Sequence, residues 1–306
     1  MHVLIVKLNA TGDVVRTTAL LRRLQGEITW VTAKTNMELL EGAHAHLRCF
    51  AWEQRELALE RRYDLVINLE DEIETASFVG QVEHARTFGA YLNGTGAVAY
   101  TDDSHRWFDL SLISVHGRRR ADELKLLNRH TYQELVFEGL GLRFEGEQYL
   151  LPSPASTPLS GDVAIAPVAG PVWPMKGWVY YDQLKEKLEA TGLRVNVLPR
   201  RATLLEHMGD VSNHRCLVGG DSLPMHLALG TDTPCVTLFN CTSPWEIHDY
   251  GIQTKIVSPL LEKFFYQRGN DSAATSAITL DEVYAAVMKS LDRKATPSSN
   301  GGRDHA

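Results

Sequence analysis

Residues 221–229 combine charged and polar side chains with the start of a helix. The apolar run 216–218 leads through two glycines into Asp221 and Ser222, which is the pattern of a strand, a tight turn and a helix N-terminus. Exposed amides at such an end favour anions, and phosphate is the usual one. The segment therefore predicts a nucleotide-diphosphate site. The alternative is an ordinary α/β helix that Asp221 or Ser222 caps, with Pro224 in its first turn.

A second polar loop, residues 7–13, follows an apolar run near the amino terminus. Gly12 permits a tight turn, and Asp13 lies at or near a helix start. A carboxylate held there could take a proton from a hydroxyl. The alternative is that Asp13 only caps the helix. Lys7 and Arg16 either orient substrate or balance the Asp13 charge.

A third loop, residues 166–178, is rich in proline, glycine and tryptophan. Its rigidity would fix Lys176 at the carboxyl edge of a sheet. A lone lysine is more often a surface residue than a ligand. Its predicted position on the same edge as Asp221 favours ligand binding.

Two series of alternating strands and helices must hold these loops. Residues 2–7 are almost continuously apolar, as in a parallel strand covered on both faces. The other predicted strands are residues 28–32, 65–69, 163–166, 193–198, 215–218 and 234–239, and the predicted helices are residues 14–24, 131–140, 178–190, 223–229 and 281–291.

The fold class is therefore α/β, with two Rossmann-like, doubly wound domains. The proline-containing stretch 146–160 indicates a linker, so we predict an N-terminal domain at residues 1–150 and a second domain at 151–295. The polar tail 296–306 is predicted to be disordered. Ligands of such domains gather beyond the carboxyl ends of the strands, which predicts a site in a central cleft between the domains.

Composition excludes several classes of function. The net charge of −7 argues against broad binding to nucleic acid, and no apolar run approaches the roughly 18–20 residues that span a bilayer. The amino-terminal apolar run is too short for a secretion signal. The 4 cysteines form no C-x-x-C pair, so neither a zinc site nor a disulfide framework is indicated. We therefore expect a cytoplasmic protein with reduced thiols and no zinc site.

Two further patterns are expected to be coincidental. Residues 94–99 match the glycine-rich dinucleotide pattern, but β-prone residues follow where a helix is required. His44 and His46 have metal-like spacing without an evident carboxylate or thiol partner, so a surface pair is expected.

Taken together, the loops resemble glycosyltransferase family 9, the ADP-heptose-dependent heptosyltransferases. The resemblance is carried, in the order of the family's motifs, by residues 3–7 with 12–21, 167–178, 221–228 and 242–245. It implies a GT-B architecture, with an N-terminal acceptor-side domain at residues 1–150 and a C-terminal nucleotide-sugar-binding domain at 151–295. It also implies inversion at the anomeric carbon, no essential metal and no cofactor besides the donor substrate ADP-heptose.

The resemblance also assigns roles to residues. Asp13 falls on the catalytic base of the family and Lys176 on the lysine at the donor phosphates. The donor-binding residues implied are Lys176, Asp221, Ser222, Leu223, Met225, His226, Thr242 and Ser243. The residues implied in acceptor contact or loop support are Lys7, Asn9, Thr11, Gly12 and Arg16.

The sequence departs from the family pattern at three places. Leu223 replaces the glycine usual after Asp-Ser, Gly177 replaces an arginine, and only about 20 residues separate Leu198 from Gly219. The motifs look more like a side branch, such as transferases that heptosylate autotransporter proteins or act on natural products.

Three alternatives stay open. They are a transferase with another nucleotide-sugar donor, a nucleotide-sugar epimerase, and a non-catalytic binding protein on the GT-B fold. No motif specifies the acceptor, which could be the lipopolysaccharide core, another glycan, a protein or a small molecule.

Overall fold

The computed structural model describes residues 1–110 and 116–293. The tail predicted to be disordered, residues 296–306, lies outside this part of the chain. The strands and helices form two α/β units in succession.

The first unit contains one mixed sheet. Its strands are His2–Val6 (β1), Glu27–Thr32 (β2), Leu47–Ala51 (β3), Leu65–Asn68 (β4), Thr87–Leu92 (β5) and Val98–Tyr100 (β6). Their order in the sheet is β3-β2-β1-β4-β5-β6, and all neighbours are parallel except β5 and β6. The helices are Thr11–Thr17 (α1), Ile73–Gln81 (α2), His105–Phe108 (α3), Gly117–Leu127 (α4) and Tyr132–Gly139 (α5).

The second unit contains a parallel sheet. Its strands are Gly161–Ala166 (β7), Val195–Val197 (β8), His214–Gly220 (β9), Cys235–Phe239 (β10) and Gln253–Val257 (β11), in the order β11-β10-β9-β7-β8. The helices are Tyr181–Glu189 (α6), Leu204–Ser212 (α7), Leu223–Gly230 (α8), Leu261–Phe264 (α9), Ser272–Ser276 (α10) and Leu280–Arg293 (α11).

Strand order explains where ligands can bind. In each sheet the chain reverses its winding direction once, between β1 and β4 in the first and between β7 and β9 in the second. The loops that follow these strands diverge and leave a crevice at the carboxyl ends. Asp13 follows β1, whereas Lys176 and Asp221 follow β7 and β9, so the topology brings all three to such crevices.

The two units share a packed interface. Apolar side chains of α1 and α5, among them Val14 and Val136, belong to the same buried cluster as Leu227 and Leu229 of α8. Gly12 lets α1 approach α8 closely, because a Cβ there would lie 2.6 Å from Cδ2 of His226. The carboxyl ends of the two sheets therefore face each other across this contact.

The helix predicted at residues 14–24 is shorter than the pattern suggested. It ends at Thr17 and continues as a 3-10 helix at Thr18–Arg22. The hydroxyls of Thr17 and Thr18 donate to the carbonyls of Asp13 and Val15, both at 2.6 Å. Such side-chain bonds compete with regular helical bonding.

The short segment between Leu198 and Gly219 holds a single helix, α7, which the sequence pattern did not predict. Thr203 and Glu206 form a reciprocal capping box at its start. No helix among the described residues is long and apolar enough to cross a membrane.

Candidate active site

The loop after β1 is held in place by a carboxylate that the sequence motifs did not mark. Glu70, just beyond β4, accepts hydrogen bonds from the amides of Leu8 and Asn9 at 2.7 and 2.9 Å. The same oxygen accepts from Nζ of Lys7 at 2.8 Å. Ala10 adopts a left-handed conformation, with φ of 55°. An acidic residue directly after the strand beside β1 was the available signal, because neighbouring carboxyl ends meet at one sheet edge.

Asp13 does not cap α1. The N-cap of this helix is Ala10, which offers no side-chain hydrogen bond. The Asp13 carboxylate instead pairs with Arg16 at 3.0 Å and lies 4.0 Å from Nζ of Lys7. Burial alone would raise the pKa of Asp13, but Arg16 and then Lys7 hold it below its ordinary value. Asp13 is therefore an ionised carboxylate at neutral pH that can accept a proton.

Arg16 is itself locked in place. Its guanidinium lies 4.0 Å from the centre of the Tyr132 ring, and Asp13 keeps its pKa above the ordinary value despite burial, which lowers it. Arg16 is thus a permanent cation beside Asp13.

Lys176 and Asp221 form a second charged pair. Their Nζ and Oδ2 atoms are 3.0 Å apart, and both side chains are largely buried. Burial raises the pKa of Asp221, but Lys176 and His226 lower it to about 2. Gly220 makes the arrangement possible, since a Cβ there would lie 2.5 Å from the carbonyl oxygen of Lys176.

The start of α8 is not capped by a side chain. Ser222 occupies the N-cap without a capping bond, and its hydroxyl donates to the Gly220 carbonyl at 3.3 Å. Asp221 is engaged by Lys176. The capping alternative considered for Asp221 and Ser222 is therefore wrong, and the helix start faces a cavity without a side-chain cap. A helix N-terminus of this kind suits an anion.

One cavity of about 650 Å³ joins the two halves of the site. Asp13 and Arg16 line it from the first unit, and Lys176 and Asp221 from the second. The sequence-predicted residues that line this reaction cavity are Thr11, Gly12, Asp13, Arg16, Lys176, Asp221, Ser222, Leu223, His226 and Ser243.

Four predicted site residues lie elsewhere. Met225 is buried in the apolar core, because it faces away from the cavity side of α8. Lys7 lies 4.0 Å from the Asp13 carboxylate but does not line the reaction cavity, and Asn9 lines a separate small cavity. Thr242 is buried beside Asp221 and contributes to lowering its pKa.

Other residues of the reaction cavity were not predicted from the sequence. Lys125 from α4 and Glu246 both line it, as do the aromatic side chains of Trp173 and Tyr266. Trp173 lies in the loop 167–178 that carries the resemblance, but no role was assigned to it. Lys125 belongs to an ordinary amphipathic helix, and Glu246 directly follows the motif 242–245.

A second cavity of about 740 Å³ lies beside the first. It is lined from the carboxyl ends of β7 and β8, by Pro167 and Pro199 among others, and shares Thr11 with the reaction cavity. Arg201 lines it while held by Asp210 through two bonds of 2.6 and 2.8 Å.

His226 gives the site a pH-dependent stability. Burial lowers the pKa of His226 to about 4, with Arg16 and Lys176 adding to this effect against Asp221 and Asp13. The unfolded chain has the ordinary value of about 6.5 and binds more protons between pH 6.5 and 4. We expect stability to fall as the pH decreases through this range, by at most about 3 kcal/mol from His226.

Urea unfolding at pH 7 and pH 4.5, for the wild type and His226→Gln, measures this contribution. Other histidines with lowered pKa values, such as His207 and His214, are common to both proteins, so their contributions cancel. An equal loss of stability in the two proteins would show that His226 is not the source.

Part of the chain matches a known protein family. Residues 174–271 match the family model of glycosyltransferase family 9 (heptosyltransferase). No curated protein matches the sequence. The matched range contains Lys176 and Asp221 but not Asp13.

Solved structures match almost the whole chain. E. coli heptosyltransferase WaaC with ADP-2-deoxy-2-fluoro heptose has a TM-score of 0.61 at 17% identity, covering 94% of this chain and 99% of that one. E. coli ADP-heptose lps heptosyltransferase II has a TM-score of 0.57 at 16% identity, covering 97% of this chain and 100% of that one. TibC, a dodecameric iron-containing glycosyltransferase of enterotoxigenic E. coli, has a TM-score of 0.58 at 13% identity, covering 96% of this chain and 77% of that one.

At these identities the structural matches establish the fold, which is GT-B with two Rossmann-like domains. TibC is no more similar than WaaC, so the side-branch placement stays a prediction, as does the boundary at residue 150. The family match indicates the activity class: residues 174–271 match the model of glycosyltransferase family 9, and the chain that contains them is a glycosyltransferase of the GT-B fold.

Proposed function

We propose that this chain is an inverting transferase that moves a heptose from ADP-heptose to an acceptor hydroxyl, with Asp13 as the general base. One observation carries the proposal. A single cavity holds an ionised carboxylate from the first unit and a lysine, with an uncapped helix N-terminus, from the second. Inverting transfer needs a base and a diphosphate-binding group on opposite sides of one sugar.

Lys176 and the start of α8 are suited to the donor diphosphate. Asp221 fixes the Lys176 ammonium at 3.0 Å and so keeps it in the cavity. Fixed positive groups aimed at a leaving group stabilise the charge that develops on it, typically by about 3–4 kcal/mol each. The similar WaaC structure holds ADP-2-deoxy-2-fluoro heptose, an analogue of ADP-heptose, which supports the same donor here.

The second cavity is placed to receive the nucleoside. It begins beside Pro224, next to the diphosphate position, and lies at the carboxyl ends of β7 and β8. Strand β7 flanks the winding reversal of this sheet, and doubly wound sheets bind nucleotides beyond the carboxyl ends of the strands there.

The proposed reaction is a direct displacement. Asp13 accepts the proton of the acceptor hydroxyl as its oxygen bonds to the anomeric carbon. The bond from that carbon to the diphosphate oxygen breaks, and its electron pair leaves with ADP. Attack from the face opposite the nucleotide inverts the configuration. Base catalysis of this kind contributes about 100- to 10,000-fold.

A transferase with another nucleotide-sugar donor is the second candidate, and one departure from the family's donor loop motivates it. Leu223 stands at the first residue of α8 and lines the reaction cavity. A leucine side chain limits the approach of the backbone to a phosphate, compared with the glycine of the family pattern. The acceptor is specified by neither cavity.

A thermal-shift panel of ADP, GDP, UDP and their sugar conjugates tests the donor. A ligand at 100 times its dissociation constant should stabilise the fold by about 2.7 kcal/mol. We expect ADP and ADP-heptose to raise the unfolding temperature most. A larger shift with GDP or UDP conjugates would mean that the donor is a GDP or UDP sugar rather than ADP-heptose. No shift with any nucleotide would contradict the proposal.

A further inference from the structure

Lys125 and Glu246 form a charged pair inside the reaction cavity, with one member from each unit. Lys125 lies on α4, and Glu246 lies in the loop between β10 and β11. Their Nζ and Oε1 atoms are 3.4 Å apart, and their side chains are 13% and 8% exposed. Both residues line the cavity.

The geometry of this pair differs from that of the other buried pairs. Lys7 with Glu70 and Lys176 with Asp221 lie at 2.8 and 3.0 Å, the range of charge-assisted hydrogen bonds. Oε1 of Glu246 is shielded from solvent and accepts no hydrogen bond from any described residue. Ser243 lines the same cavity, and its hydroxyl also has no hydrogen-bond partner among the described residues.

Buried polar groups in native proteins are nearly always hydrogen-bonded. A carboxylate accepts, an ammonium group donates and a serine hydroxyl does both. Together they are complementary to neighbouring hydroxyl groups on a sugar ring. The Trp173 and Tyr266 rings, packed edge to face at 5.3 Å, add apolar surface to the same cavity.

The pair also lines the same cavity as the two ends of the proposed reaction, Asp13 and Lys176. Lys125 is among the charges that lower the pKa of Asp13. Glu246 and Asp221 both contribute to raising the pKa of Tyr266, after burial. In the proposed complex the transferred sugar lies in this cavity, because its anomeric carbon is bonded to the diphosphate at Lys176 and faces Asp13.

The loop that carries Glu246 is fixed from the first unit. The backbone carbonyl of Glu246 accepts from the amide of Tyr132 at 3.0 Å. On α4, Arg118 donates to the Tyr266 carbonyl at 2.6 Å. These bonds hold both members of the pair in position without using their charged groups.

We propose that Lys125 and Glu246 recognise the hydroxyl groups of the transferred sugar and so select the donor sugar. This inference rests on the proposed function, because it needs a nucleotide sugar in the cavity. It assigns the nucleotide and the sugar to different residues, so the two contributions are separable by binding measurements.

Calorimetric titration of the full chain with ADP and with ADP-heptose tests the assignment. We expect Glu246→Gln and Lys125→Met each to weaken ADP-heptose binding about 10- to 100-fold, the effect of losing a hydrogen bond to a charged group. ADP binding should change by less than about twofold, since nothing in this pair faces the diphosphate in the proposed complex. Wild-type protein that binds neither ligand would overturn the proposed function and this inference together.

Two further variants separate recognition from a purely structural ion pair. Arg129→Met is the matched control, because Arg129 stacks on Trp245 at 3.8 Å across the same interface but does not line the cavity. It should leave both affinities unchanged. The exchange Lys125→Glu with Glu246→Lys restores a charge pair with reversed polarity.

A structural role predicts that the exchange restores ADP-heptose binding, and that result would overturn the inference. Recognition predicts that binding stays weak while the unfolding temperature recovers. Unchanged ADP-heptose affinity in both single variants would equally overturn it, whatever their effect on an acceptor. Should Glu246→Gln not fold, Lys125→Met decides alone.

Discussion

Asp13→Asn is expected to lower turnover at least about 100-fold, the lower bound for general base catalysis. Asparagine has nearly the same shape but cannot accept the proton of the acceptor hydroxyl. The ion-pair partners of Asp13 are Arg16 and Lys7 rather than Lys176, so the dissociation constant for ADP should change little. Release of ADP from ADP-heptose, with water or a supplied acceptor, measures turnover, and calorimetry measures binding.

The matched control is Asp162→Asn. Asp162 is also an ion-paired carboxylate, 2.9 Å from Arg215. It lies near the beginning of β7, at the end of the sheet opposite to the reaction cavity. It should retain wild-type turnover. Turnover by Asp13→Asn within about threefold of wild type would remove Asp13 from the mechanism.

Lys176→Met should weaken ADP binding about 100-fold, as expected when the diphosphate of ADP loses a buried cationic partner. This variant also leaves Asp221 buried without its cation, which destabilises the fold. The double variant Lys176→Met with Asp221→Asn removes that second effect. We expect its stability to recover while ADP binding stays weak.

Lys185→Met is the control for Lys176. Lys185 pairs with Glu189 on the outer face of α6, away from the cavity, and its loss should alter neither measurement. ADP affinity restored to the wild-type value in the double variant would mean that Lys176 acts only as the counter-ion of Asp221.

Much of the fold was predictable because buried parallel strands are apolar throughout. β1, β4, β7 and β10 are buried along nearly their whole length, and each was predicted within two residues. Weaker patterns were missed. β3 alternates exposed and partly buried residues near its start, and the short α7 carries no long apolar repeat.

The site was predictable where a loop follows a strand. The side chains of Asp13, Lys176 and Asp221 meet in one cavity because strand order places their loops at the two winding reversals. What sequence could not show is which face of a helix a residue occupies. Met225 was expected at the donor, but it points into the core, whereas His226 beside it lines the cavity.

Residues contributed across the interface were also beyond sequence patterns. Lys125 and Glu246 are 121 positions apart in the chain and meet only because α4 packs against the loop after β10. Long-range contacts of this kind leave no local spacing to detect.

The proposed mechanism requires one cavity to hold the diphosphate at Lys176 and to turn the anomeric carbon towards Asp13. A crystal structure of the chain with the 2-deoxy-2-fluoro analogue of ADP-heptose shows both positions at once. We expect a diphosphate oxygen within hydrogen-bond distance of Nζ of Lys176, and the Asp13 carboxylate on the face of the sugar opposite the nucleotide. An analogue bound with its diphosphate away from Lys176, or with Asp13 on the same face as the nucleotide, would refute the mechanism.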